Sequence, residues 1–467
     1  MREKNTTAAV GGIFAVTLLG KLLGLARDRL LATNYGAGMS ANAFLTASRI
    51  PRVFFDAVFA SAIAISFIPA FSAVYERDGK AGALRFGSEF TSLTAYVTLA
   101  VSALGVMFAE PLTRLFAAGY DAETLALAVK LTRIMFPTVF FTGIAFSFVG
   151  ILQSLEHFAL PAAISVVSNG IIIAYYAALN EKFGIWGLSA AFLLGWAGQA
   201  AVMLPRLVKS GFRPALRVRL RGGDMRGVGK LMLPAIVSTW VQPICLAVGT
   251  RFASGLRGGA AVTELELAMN LYTIIIGVFA LSVTNVLFPR ISRLEAAGRG
   301  AIAPARAAML ASVAFAALAA AGTMLLAKPA VSVIYGGGKF GADSVVSTAS
   351  ALRWCAPGMP GYAATAVLGR VYFARRNGKT PLLAGAAAIA VNVVLCGIFT
   401  GALGIRGIAL ASSAAATVNA VLLALPLARE GLFDGGETRA LIKQTVSRLK
   451  RGDGNSGDSN SGDSNSN

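Results

Sequence analysis

The first two apolar runs of the chain carry most of its embedded charges, among them Lys21, Arg27, Asp28, Arg49, Arg52 and Asp56. A charge in a bilayer core is costly, so each one points first to binding or transport. Lys21 and Arg27 are six residues apart, within a turn's width of one helix face, and Arg49, Arg52 and Asp56 follow an i, i+3, i+7 stripe. Four cations around a cavity would attract an anion. Arginine can hold phosphate oxygens bidentately, and lysine adds a point charge. Lys21, Arg27, Arg49 and Arg52 are therefore the candidate substrate-binding residues. The competing reading makes Arg27–Asp28 and Arg52–Asp56 internal ion pairs, or lets some cations reach an interface along their alkyl stems.

Other chemistries lack their residues. Gly378-Lys379-Thr380 fails the P-loop spacing because position 373 is Phe. No GxSxG elbow, HExxH motif or pair of catalytic carboxylates occurs. His157 is the only histidine, and Cys245, Cys355 and Cys396 sit in apolar runs without a CxxC spacing. They read as buried thiols, not as a metal or redox site. Gly336-Gly337-Gly338-Lys339 reads as a flexible turn. The expectation is a transporter and not an enzyme, with no catalytic residue, metal or cofactor.

The elements that must position these cations are membrane helices. Of 467 residues, 56% are hydrophobic and 14% charged, and the mean hydropathy is +0.67; a soluble domain carries about 25% charged residues. The apolar residues come in runs near the ~20 residues that cross a bilayer. About twelve such runs are read, so the fold class expected is an all-α integral membrane protein. The first run, Ala8 to Ala32, is too long for a signal peptide.

The runs repeat. At an offset of 220 residues, Arg133 and Pro137 recur as Arg353 and Pro357, and Pro161 recurs as Pro381. Gly184-Ile185-x-Gly187 recurs as Gly404-Ile405-x-Gly407, and Val58-Phe59-Ala60 with Pro69 as Val278-Phe279-Ala280 with Pro289. Two six-helix lobes related by a pseudo-twofold axis along the membrane normal follow, with cargo between them. The expected organisation is residues 1–208 as the N-terminal lobe, 209–230 as a basic cytoplasmic linker and 231–429 as the C-terminal lobe. Residues 430–467 are a basic amphipathic helix and a disordered tail. Repeat-matched Arg133 and Arg353 read as structural. The four candidate cations are not repeated: their partners at the offset are Val241, Ala247, Met269 and Tyr272. A symmetric structural need would not produce that asymmetry.

The net charge of +20 would suggest nucleic acid in a soluble protein. Here the cations cluster in alternate short breaks: Arg77, Lys80 and Arg85; Lys209 to Lys230; Arg290 to Arg306; Arg375, Arg376 and Lys379. Lys and Arg in short loops stay on the cytoplasmic side. Both termini and the linker are therefore expected in the cytoplasm, with the bilayer and not nucleic acid as the partner.

Gly24-Leu25-x-Arg27-Asp28, Tyr35-Gly36-Ala37-Gly38, Asn42-Ala43-Phe44, Arg49-Ile50-Pro51 and Phe67-Ile68-Pro69 resemble the opening of the MurJ/MviN family of lipid II flippases. Tyr335 to Phe340 and Arg376 to Pro381 are similar to later motifs of that family, and the resemblance runs from about residue 8 to 428. It implies the fold of the multidrug/oligosaccharidyl-lipid/polysaccharide exporter superfamily. The implied activity is outward flipping of the undecaprenyl-diphosphate-linked peptidoglycan precursor through a cationic cavity, by alternating access. It also implies a bacterial cytoplasmic membrane location, with cell-wall synthesis enzymes as candidate partners. The family's helix-one cavity cations fall on Lys21 and Arg27. Its acidic residue before Ala-Phe is Asn42 here, its helix-two arginine pair falls on Phe55 and Asp56 with Arg52 one turn earlier, and a further cavity arginine falls on Asn270. The family's usual fourteen helices compare with about twelve here, and its last two are thought to help hold the lipid tail. The alternative readings are an exporter of another lipid-linked polysaccharide and an ion-coupled drug antiporter, although an antiporter for cations would want acids in the cavity. A membrane scaffold or a polyprenyl glycosyltransferase is a different class; a transferase would need acidic residues in a sizeable loop, and these loops are short and basic.

Overall fold

The computed structural model describes residues 2–214, 225, 227–229, 241–277, 302–375 and 377–433. The linker arginines Arg217, Arg219 and Arg221, the repeat copy Val278 to Pro289, Arg376 and the expected basic helix and tail after residue 433 lie outside the described residues. So do the side chains of Phe55, Asp56 and Val58-Phe59-Ala60.

Apolar runs in a bilayer must satisfy every backbone N–H and C=O within themselves, and a helix does that. The first bundle contains α1 (Arg2–Tyr35), α2 (Met39–Ala62), α3 (Ile68–Met107) and α4 (Ala109–Phe116), then α5 (Ala122–Met135), α6 (Thr138–Ser154), α7 (Ala159–Ala178) and α8 (Asn180–Lys209). The second contains α9 (Val241–Ser254) and α10 (Arg257–Gly277), then α11 (Ile302–Tyr335), α12 (Ala342–Cys355), α13 (Met359–Ala374), α14 (Lys379–Leu403) and α15 (Ile405–Ala428). No strand occurs among the described residues. Eight helical segments are long and apolar enough to cross a membrane among those residues, with α5 and α6 forming one of them. The expected count of twelve is therefore not reached on that criterion. Helix α1, with 34 residues, and α2, with 24, are also long enough at about 1.5 Å per residue. Serine and threonine in the spans turn inward onto their own helix carbonyls, as Thr98 Oγ1 does to Thr94 at 2.7 Å and Ser147 Oγ to Gly143 at 2.8 Å.

The internal repeat is visible in the backbone. Helix α5 begins at Ala122 and ends at Met135, and α12 begins at Ala342 and ends at Cys355, the same limits displaced by 220. Pro137 caps α6, and Pro357 lies in the 3-10 turn Ala356–Gly358 that leads into α13. Gly184 (φ 51°, ψ −140°) and Gly404 (φ 57°, ψ −134°) hold the same backbone conformation, one that a side chain disfavours. Helix α8 turns at Gly184, close to its start, and α14 meets α15 at Gly404.

Packing divides the chain in two. Within the first bundle α1 lies on α7, α2 on α5, α3 on α6 and α7 on α8; within the second α11 lies on α13 and α12, α14 on α15 and α9 on α14. Between bundles, α1 touches α11, and α2 and α4 touch α9. Most of these contacts gather at the end of the molecule that carries the short turns 36–38, 117–121, 255–260 and 336–341, here termed the turn end. Asp121 caps α5 there by accepting from the amides of Thr124 and Glu123 at 2.9 and 3.0 Å. Those bonds, the Thr124 amide first, hold its carboxyl below the usual carboxylate range. The opposite, basic end carries Arg77, Lys80, Arg85, Arg213, Arg306 and Arg375, with Arg375 paired to Glu430 at 2.7 Å.

Candidate functional site

Arg27 sits on α1 with its guanidinium fixed on two sides. Its Nε and Nη2 donate to Asp28 Oδ1 at 3.0 and 2.8 Å, and its Nη1 donates to Asn169 Oδ1 of α7 at 3.1 Å. Asn169 is itself held, because its Nδ2 donates to the Gly20 carbonyl of α1 at 3.1 Å. The other carboxylate oxygen of Asp28 accepts from Asn270 Nδ2 of α10 at 3.0 Å, so Asp28 joins the two bundles. The internal-pair reading of Arg27 and Asp28 is therefore correct in geometry. It does not remove Arg27 from a site, since 27% of its side chain stays accessible.

Arg27, Asp28, Ser48, Arg52, Glu266 and Asn270 line a cavity of about 20 Å3 between the bundles, together with apolar residues of α1, α2, α7 and α8. That is room for about one water. The cavity is closed in this conformation, and an occupant of any size requires the bundles to move apart.

Arg49, one turn from Arg52 on α2, does not open into the cavity. It is 7% exposed, pairs with Glu266, and donates through Nη1 to Thr250 Oγ1 at 2.9 Å and the Leu246 carbonyl at 3.1 Å. All three partners belong to the second bundle. Lys21 lies six residues before Arg27, about 9 Å along the helix. Its Nζ is directed at α10, where a Cβ placed on Gly277 would be 3.8 Å away. Lys21 does not line the closed cavity. The four candidate cations thus separate into two at the cavity (Arg27, Arg52), one behind its wall (Arg49) and one farther along the bundle contact (Lys21).

Two buried acids are not among the candidates read from the sequence. Glu266 is 7% exposed on the cavity wall, and Glu264 is fully buried, accepting from Arg257 at 2.8 Å and from Ser347 at 2.5 Å. A signal for them is present: two carboxylates within the apolar run of α10 are as costly in a bilayer as the cations of α1 and α2.

The turn end is shut by contacts between the bundles. Asn42 Oδ1 accepts from both the amide and the hydroxyl of Thr263, at 3.3 and 2.6 Å, so the amide at this position serves as acceptor where the resembled family carries an acid. Arg29 donates to the Val333 and Ile334 carbonyls at the end of α11, at 2.5 and 2.9 Å. The Lys339 amide donates to the Thr33 carbonyl at 2.9 Å, and the Gly119 amide to Ser254 Oγ at 3.0 Å. A Cβ on Gly119 would run into the backbone of Gly255. A larger cavity of about 630 Å3 lies at the basic end beside Lys80, Arg85, Glu89 and Arg213, within the first bundle and away from the inter-bundle site.

Two repeated helical bundles of membrane-spanning length around a closed, cation-bearing cavity, tied together at the turn end, define a multi-pass membrane transporter of the alternating-access kind. The chain belongs to the lipid II flippase MurJ family, whose model matches residues 31–449. It is 31% identical over 434 residues to the probable lipid II flippase MurJ of Rhizobium tropici, covering 90% of this chain and 80% of that protein. It is 26% identical to the lipid II flippase MurJ of Burkholderia cenocepacia, covering 92% and 85%. Among solved structures it is similar to lipid II flippase MurJ in an inward closed conformation, with TM-score 0.75, 25% identity and coverage of 94% and 92%. A multidrug resistance MATE family transporter of the MOP superfamily in its inward-facing conformation shares the fold, with TM-score 0.66 at 16% identity.

Proposed function

We propose that this chain is a flippase that carries the undecaprenyl-diphosphate-linked peptidoglycan precursor, lipid II, across the bacterial cytoplasmic membrane by alternating access. The observation that carries the reading is Arg27: a guanidinium held between α1 and α7 by Asp28 and Asn169, part of it still open to a cavity shared with Arg52. Opened at the basic end, that cavity would offer its cations to the diphosphate while the lipid tail stays in the bilayer. Closing there and opening at the turn end would release the head group on the far side. The protein transports and performs no bond chemistry on its cargo.

The basic end belongs in the cytoplasm, because Arg77, Lys80, Arg85, Arg213, Arg306 and Arg375 gather there. Both termini then lie inside the cell. Residues 1–208 and 231–429 serve as the moving lobes, joined through 209–230 on the cytoplasmic side. Lys21 would meet the cargo as the lobes part, and Arg49 once it is freed. Without an ATPase motif, the driving force is an ion gradient or the membrane potential, worth about 2.3 kcal/mol per charge per 100 mV.

Complementation tests this reading. The chain is expressed in a bacterium depleted of its own lipid II flippase, and lipid II exposed on the outer surface is measured. Restored exposure is the expected result. No exposure from an inserted, abundant protein overturns the lipid II assignment and moves the cargo to another polyprenyl-diphosphate glycan.

A further inference from the structure

Every described hydrogen-bond and ion-pair partner of Arg49 lies across the bundle interface: Glu266 and Leu246, and Thr250 at 2.9 Å. Glu266 stands on the cavity wall beside Arg27, Asp28, Arg52 and Asn270, so it lies between Arg49 and any occupant of that cavity. A carboxylate offers a guanidinium the same two-oxygen face that a phosphate does. Two anions cannot both take up that face without strong repulsion at short range.

The geometry points to Glu266 as a built-in stand-in for the cargo's phosphate: it holds Arg49 while the site is empty, and the arriving anion displaces it. The exchange has a mechanical consequence. Arg49 belongs to the first bundle and Glu266 to the second, so a phosphate that takes Arg49 releases a tie between them. The turn end then loses one of the contacts that keep it shut. Occupancy and opening are coupled through one ion pair, and the coupling is reciprocal: whatever holds the turn end closed weakens anion binding by the same factor. The tie itself stands on the observed pairing; its displacement by phosphate rests on the proposed diphosphate cargo.

The test uses the full chain in detergent micelles, where both ends are open to solution. Cys245, Cys355 and Cys396 are replaced, and Ser254→Cys serves as a reporter at the turn end, where the native Ser254 is fully buried. The rate of modification by a bulky charged maleimide reports opening. Glu266→Gln is expected to raise that rate at least about tenfold, as the loss of a buried charge partner should. Inorganic pyrophosphate is expected to raise the rate saturably with Glu266 present and to add nothing in Glu266→Gln. The exchanged pair Arg49→Glu with Glu266→Arg should return to slow modification, which separates a lost tie from a misfolded chain. Equal rates in the parent and in Glu266→Gln overturn the tie whatever the cargo is. A fast Glu266→Gln with a parent rate indifferent to pyrophosphate overturns the exchange, and the flipping assay then decides whether the diphosphate reading falls with it.

Discussion

At the scale of single residues, Arg27 and Arg353 separate a binding charge from a structural one. Arg27 uses its three nitrogens on Asp28 and Asn169, and its remaining surface faces the cavity. Arg27→Ala is expected to abolish surface exposure of the lipid-linked precursor while membrane abundance, read by immunoblot, stays near that of the parent; full flipping at equal abundance would sink the anion-site assignment. Arg353 is exposed on α12 of the second bundle and donates through Nε to the Met324 carbonyl at 2.9 Å, next to the carbonyl that Pro329 deprives of its donor. Arg353→Ala should lower abundance a few-fold, with flipping per molecule retained. Normal abundance with lost flipping would instead place Arg353 in the transport path. The cations were legible in the sequence because a charge stands out in an apolar run, and their asymmetry across the repeat marked them further. Their partners were not legible. Arg49 meets Glu266 and Asp28 meets Asn270 only once two distant segments are brought together, and a helical period carries information about its own helix alone.

At the scale of elements, the repeat was readable because it was written in residues that constrain backbone. The Gly-Ile-x-Gly pair marks a sharp turn, and Gly184 and Gly404 adopt nearly identical positive-φ conformations there. An added Cβ would meet nothing within 4 Å at either glycine. The cost of alanine is then conformational and should be similar at the two sites, about 1–3 kcal/mol each. Thermal unfolding of Gly184→Ala and Gly404→Ala in detergent checks this, and a large loss at one site with none at the other would break their equivalence. Helix ends and interruptions were less legible. The π-helical turn Ile63–Phe67 after α2 and the break at Phe108 between α3 and α4 carry no proline of their own. Each is followed by a proline, Pro69 and Pro111, whose missing N–H leaves the carbonyl four residues back, that of Ile65 and that of Met107, without its helical donor; the proline marks the place, but not whether a kink, a π-turn or a break results.

At the scale of the whole molecule, closure at the turn end is a statement about two bundles, and it has to be tested by joining them. The sequence offered the class, two lobes with a cavity between, but not the state, because alternating-access states differ in contacts and not in elements. Asn42 and Thr263 are adjacent across the interface, 2.6 Å between Oδ1 and Oγ1, and neither lines the cavity. Cysteines at these two positions, in a chain freed of Cys245, Cys355 and Cys396, should be joined by a short bifunctional thiol reagent. If release requires the bundles to part there, the joined protein flips no lipid-linked precursor, and a reducible linker lets activity return on reduction. The same pair placed within one bundle, at Thr113 and Thr132, whose hydroxyls lie 3.2 Å apart, should cross-link without stopping flipping. Retained flipping with Asn42 and Thr263 fully joined would mean that the head group leaves by a path other than the turn end. Lost flipping from the within-bundle link would mean that the bundles themselves deform during transport and do not move as rigid bodies.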